Sequence, residues 1–225
     1  MIEDFKNDCQ RAADVLSSGI KDIHIPSEVL REAKGVAVLH VHKMAILGSS
    51  RSGHGVVVAR LPSGDWSAPS AIEMTGKGFG DEFGYEISDI VYILRNDQAV
   101  EAFKKGHNIT GGVDLSCKPT LTQDLPNPNT PSNSNQTVAV GPIGRTAQLT
   151  ATLRSPTAIF TYSQSKGAFV GASVDFTEIN QRSVTNAAVY GIGTRGEQIL
   201  EGQVDMPEYD QVKALHAVLR HAQEE

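Results

Sequence analysis

The chain has 225 residues, 40% of them hydrophobic and 20% charged, with a formal net charge of −6; this length and composition support a packed core and argue against a chain disordered throughout. An acidic balance repels nucleic acid and gives no general attraction to anionic membrane, so any contact with phosphate must come from a local patch. The two cysteines, Cys9 and Cys117, lack Cys-x-x-Cys spacing, which argues against a disulfide framework and a thiolate metal site, and no apolar run reaches the roughly 20 residues of a spanning helix.

The start, MIEDFKNDC, is polar and acidic where a secretory signal would be basic and then apolar, so the reading is a cytoplasmic protein. Ile2, Phe5, Cys9, Ala12, Ala13, Leu16 and Ile20 recur at helical spacing, with Glu3 and Asp4 in the first turn where the helix dipole favours anions. The opposite face sets Lys6 and Arg11 against Asp8 and Asp14. A helix of that charge is expected to dock on the protein's own core, because lying on anionic lipid calls for a basic face.

A short helix is expected between Pro26 and Gly35. VAVLHVHKM and GVVVARL then read as a β-hairpin joined by the glycine-rich stretch from Gly48 to Gly55, and YEISDIVYIL as a buried strand. Asn96 or Asp97 caps a helix over DQAVEAFKK. Five further strands are expected in NITGGVDLS, TVAV, RTAQLTATLR, AIFTYS and AFVGASVDF, and a last helix in PEYDQVKALHAVLRHA. Residues 117–137, with four prolines among many Asn, Ser and Thr, are expected to be a mobile insert. The fold class is therefore α+β: one domain over 1–225, an antiparallel, barrel- or sandwich-like β core flanked by N-terminal, central and C-terminal helices.

The segment TGKGFGDEFGYEISD, Thr75 to Asp89, invites a functional reading. It is not a dinucleotide fingerprint, because the sixth residue from Gly76 is Asp81 and a strand follows instead of a helix. It is not a Walker loop, because its lysine precedes the glycines. Glycines beside strands mark bulges or close backbone approach. Asp81, Glu82, Glu86 and Asp89 supply oxygen ligands suited to Ca²⁺, although without EF-hand spacing. His40 and His42 share one strand face, with His54 on the facing strand, and their spacing fits either half-buried strand histidines or two metal ligands. No G-x-S-x-G elbow is present, so no enzyme is read.

Seven collinear segments, IPSEVLREAKGVAVL, GSSRSGHGVVVARLPSGDWSAPSAIEM, GKGFGDEFGYEISDIVYIL, NITGGVDL, VAVGPIGR, AIFTYSQSKGAFVGASVDF and NAAVYG, together resemble the SYLF domain, the lipid-binding domain of endocytic and actin-patch proteins. The resemblance implies a β-rich, non-catalytic module at membranes or actin patches that binds phosphatidylinositol phosphates, with some relatives binding actin filaments. The expected lipid-binding residues are Arg51, Lys77, Arg145, Lys166 and Arg182, if the fold gathers them. No cofactor is required on this reading; Ca²⁺ held by Asp81, Glu82, Glu86 and Asp89 is an alternative bridge to anionic lipid.

Overall fold

The computed structural model describes residues 1–19, 25–105, 108–117, 144–146, 151–152 and 159–224. Its centre is an antiparallel sheet built on a hairpin. Strand β1 (Gly35–Ile46) pairs with β2 (Ser49–Ala59) from Gly35↔Ala59 to Ala45↔Ser49. The turn is only Leu47-Gly48, both at positive φ of 55° and 134°, so most of the stretch from Gly48 to Gly55 expected as a connection is strand. Glycine is needed there for proximity: a Cβ on Gly55 would lie 1.9 Å from the Val38 carbonyl oxygen.

Strand β3 (Ser70–Leu94) is the longest element. Its first half pairs with β2, from Val57↔Ser70 to Ser49↔Gly78, and its second half pairs with β1, from Ile46↔Phe83 to Gly35↔Leu94. Because β1 and β2 run oppositely, the two halves of β3 must also run oppositely, and the strand wraps around the hairpin tip. Gly76, Gly78, Gly80 and Gly84 lie at this wrap, where bare backbone bends at least steric cost.

The other edge of β3 is followed without a register slip by β7 (Ile159–Gln181), from Ile72↔Gln181 to Leu94↔Ile159. AIFTYS and AFVGASVDF are thus one strand. Beyond β7 come β4 (Asn108–Cys117), which carries β6 (Ala151–Thr152), and β5 (Gly144–Thr146) on the same edge of β7. The rest of the expected insert after Cys117, and the TVAV segment, lie outside the described residues.

Strand side chains alternate between faces, and each face has its own core. Val36, Val38, Val56, Val58, Val91 and Ile93 point to helices α1 (Ile2–Gly19), α2 (Ser27–Arg31) and α6 (Asp210–Glu224), meeting Phe5, Leu16, Leu30, Leu215 and Leu219. Leu39, Val41, Val57, Ile72 and Tyr92 point the other way, to Val100 and Phe103 of α3 (Asp97–Lys105) and Leu200. Each fully buried side chain of this size contributes roughly 1.5–3 kcal/mol. The expected α+β class with an antiparallel core and helices at both ends and in the middle is what forms.

Two helices were not expected: α4 (Ser183–Tyr190) and α5 (Gly196–Leu200). α4 has a β-branched, weakly amphipathic sequence, and a side-chain clamp fixes it. Buried Asn186 accepts from Ala71 N at 2.8 Å and donates to Ser70 Oγ at 3.0 Å. Ser70 in turn donates to Gln181 Oε1 at 2.6 Å. These bonds tie the start of β3, the end of β7 and α4 together.

Candidate functional site

Where α1 crosses the sheet, histidines meet carboxylates. His40 Nδ1 lies 2.7 Å from Asp89 Oδ1, which also accepts from Arg11 Nη1 at 3.3 Å. His54 Nδ1 lies 2.6 Å from Asp8 Oδ1, whose other oxygen accepts from Arg182 Nη1 at 3.3 Å. Asp8, expected on the polar face of α1, is instead buried at 4% exposure; two partners from the sheet side compensate its desolvation. The hydrogen bond to Asp8 raises the His54 pKa above the ordinary imidazole value, with burial opposing. His42 is shifted down, first by burial and then by His40, and its Nδ1 lies 2.6 Å from Tyr85 Oη.

The Nδ1 atoms of His40 and His54 are engaged by carboxylates and that of His42 by a phenol. Among the described residues no group of three His, Cys, Asp or Glu side chains converges on a metal position. Cys9 is buried in the core, and desolvation pushes its thiol far up, which leaves it unreactive.

Of the four acids of the β3 segment, the three whose side chains are described divide between the two faces. By strand alternation Asp81 and Asp89 take the α1 face and Glu86 the opposite one. Asp89 is held by His40 and Arg11, and Glu86 accepts from Ser88 Oγ at 2.9 Å. The side chain of Glu82 lies outside the described ones.

Of the five expected cations, the three whose side chains are described stand apart. Arg51 is buried on the α3 face of β2, opposite Lys43 in register, and its charge reaches Tyr92, whose phenol burial has pushed up to about 12. Lys77 is exposed on the α1 face of β3, with Ser50 and Phe176 as its register neighbours. Arg182 sits at the far end of β7, engaged with Asp8. The strand positions of Lys166, opposite Ile87, and Arg145, opposite Gln164, are described, but their side chains are not. Arg51 and Lys77, adjacent in register, thus lie on opposite faces of the sheet, and Arg182 belongs to the helix-covered end.

That wrapped end holds a feature which single motifs did not reveal. Met44, Ile46, Phe79, Phe83 and Phe176 fall on the α1 face beyond the reach of the helices, and Leu47 stands at the apex of the hairpin. All six are exposed, Leu47 at 87% and Phe83 at 73%. Tyr85 borders them on the side of the histidines. The signal was present in the run Met44-Ala-Ile-Leu47 and in the spacing of Phe79 and Phe83, but only the register unites them.

Comparison with known proteins places the chain. The family described as "Ysc84: Las17-binding protein actin regulator" matches residues 75–222. The chain is 41% identical over 221 residues to the "SH3 domain-containing YSC84-like protein 1" of Rattus norvegicus and of Homo sapiens, covering 95% of this chain and 58% of those proteins. It is 38% identical over 211 residues to "Protein YSC84" of Saccharomyces cerevisiae, covering 90% of this chain and 41% of that protein. The chain thus spans less than three fifths of the length of these relatives. No solved structure gives a significant match.

Proposed function

Because the chain belongs to the Ysc84 family, whose domain is also called SYLF, we propose that it is a non-catalytic module of actin regulation that docks on anionic membrane by binding phosphoinositide headgroups. The observation that supports this reading is Lys77, exposed on the α1 face of β3 at the wrapped end of the sheet. Lys77 makes the outer contact, and Arg51, buried on the opposite face, adds only long-range positive potential. Charge-assisted bonds to phosphate oxygens supply the affinity, at about 1 kcal/mol per cation near the surface. Arg182 serves the fold through Asp8 instead.

The test is co-sedimentation with phosphatidylcholine vesicles containing phosphatidylinositol 4,5-bisphosphate, against phosphatidylcholine alone. Lys77→Glu is expected to weaken binding about tenfold at low salt, since reversal both removes an attraction and adds a repulsion. Parent binding should fade as salt shortens the Debye length towards about 3 Å at 1 M. Equal binding to both vesicle types overturns the headgroup reading. Chelator is expected to change nothing; its abolishing binding would restore the Ca²⁺ bridge.

A second reading starts from the words "actin regulator" in the family description: we propose as the alternative direct contact with actin filaments, with lipid secondary. Co-sedimentation with filaments in the absence of vesicles separates it from the first.

A further inference from the structure

We infer that the wrapped end of the sheet is a membrane-insertion tip, in which the hairpin apex and the adjacent bend of β3 enter the headgroup and upper acyl region while Lys77 holds phosphate at its rim. This rests on the membrane reading above and adds a second, apolar contact to it. Soluble proteins scatter single exposed apolar residues, but a contiguous group rimmed by polar side chains marks an interaction surface. Here Met44, Ile46, Leu47, Phe79, Phe83 and Phe176 form that group.

Three observations select lipid as the occupant. The first is that the amphipathic helix α1 is not free to serve. Its apolar side chains Phe5, Cys9, Ala12 and Leu16 are 0–1% exposed in the core, so a docked helix offers lipid only its polar face. The exposed apolar side chains of the tip are on the opposite end of the sheet from that packing.

The second is charge. The segments 43–52, 77–86 and 166–176 that build the tip contain Lys43, Arg51, Lys77 and Lys166 against Asp81, Glu82, Glu86 and Asp175. They are neutral in sum, and the whole formal charge of −6 falls on the remainder of the chain. An acidic protein approaching an anionic surface is therefore least repelled tip first.

The third is the layering of side chains. Leu47 and Ile46 project at the apex, at 87% and 68% exposure. Lys77 lies beside Phe176 on the same face, with a stem long enough to lay its methylenes along the aromatic ring and its ammonium at phosphate. Tyr85, bonded to His42, stands at the inner border between the apolar group and the histidines, the amphipathic position that tyrosine takes at membrane interfaces. Asp81 lies on the same face between Phe79 and Phe83. Set within the apolar group, its charge limits entry to the headgroup and upper acyl region.

The experiment uses the 225-residue chain and vesicles of phosphatidylcholine with phosphatidylinositol 4,5-bisphosphate. Leu47→Ser with Phe83→Ser is expected to lower vesicle partitioning by at least about tenfold, since two large apolar side chains no longer leave water. The loss should persist at high salt, where that from Lys77→Glu vanishes. Circular dichroism should match the parent, because both positions are exposed.

A Leu47→Trp variant gives an independent reading: its emission should shift to shorter wavelength on adding vesicles and be quenched by lipids brominated high on the acyl chain. Undiminished partitioning of the double variant, or an unmoved tryptophan spectrum with the protein bound, overturns the insertion tip while leaving headgroup binding standing. A parent that binds no vesicle at low salt overturns both. Should the parent be a dimer that the double variant dissociates with vesicle binding unchanged, the face joins two copies and the inference falls.

Discussion

His54 Nδ1 stands 2.6 Å from Asp8 Oδ1 and so joins β2 to α1 across the face that the helix covers. The bond raises the His54 pKa, so in the folded chain the imidazole stays protonated above the unfolded value of about 6.5. Its stabilising effect is full below that pH and is lost as pH rises through the folded pKa. His42 and His216 are shifted down by burial and act oppositely, losing stability as pH falls. His54→Gln is therefore expected to destabilise most near pH 6 and least near pH 8. Urea midpoints of parent and variant at both values check this; a difference that does not change with pH would refute it.

Removing the carboxylate itself is a harsher change. Asp8→Ala leaves Arg182, whose side chain is 18% exposed, and His54 without their shared anion. A loss of about 2–4 kcal/mol is expected, towards the range for breaking a buried pair. Arg182→Gln should likewise lower the melting temperature, and at a temperature where the variant is folded it should bind vesicles as the parent does. A selective loss of vesicle binding with unchanged melting would return Arg182 to the lipid site.

Phe5 is fully buried, edge-on to Tyr190 at 6.2 Å and to Tyr209 at 6.4 Å between ring centroids. Phe5→Ala is expected to cost about 3–5 kcal/mol and to loosen α1 before the sheet. Limited proteolysis followed by mass spectrometry should find cleavage within the first 20 residues at protease levels that leave the parent intact.

The clamp at the start of β3 predicts a polar effect in the core. Asn186→Leu removes the side-chain acceptor of the buried Ala71 N and the donor to Ser70 Oγ, which keeps only Gln181, for an expected loss of about 1–3 kcal/mol. Hydrogen exchange at Ala71 should accelerate in step. An unchanged exchange rate there would show that the amide finds another acceptor.

Gly55→Ala tests the hairpin. A Cβ would meet the Val38 carbonyl oxygen at 1.9 Å, so β1 and β2 must part and the loss should exceed about 3 kcal/mol. Gly64→Ala meets nothing within 4 Å, and only its φ of 92° opposes it, for roughly 1 kcal/mol. Thermal melts of the two variants should differ accordingly.

The hairpin, the central helix and the terminal helices were legible because apolar period and capping residues act locally. The glycine-rich half of β3 was not, since glycine and acids disfavour strands in isolation; it is held by β2 on one edge and β7 on the other. α4 was hidden for the same kind of reason, its helix depending on what Asn186 meets over a hundred positions away in the chain. For the candidate site, residue types could be read but not faces. Arg51 and Lys77 sit close in register, yet one is buried and the other exposed, and Arg182 is engaged by an aspartate assigned to the wrong side of its helix.

The wrapping of β3 about the hairpin also orders events during synthesis. The hairpin and both halves of β3 can pair as soon as they leave the ribosome, but the other edge of β3 waits for β7, Lys77 for Phe176 and Ile72 for Gln181. Such distant pairings come late and slowly. A nascent chain therefore carries its greasy apex without the β7 side of its rim until most of the polypeptide has been made, which makes this stretch the natural place for a chaperone to hold.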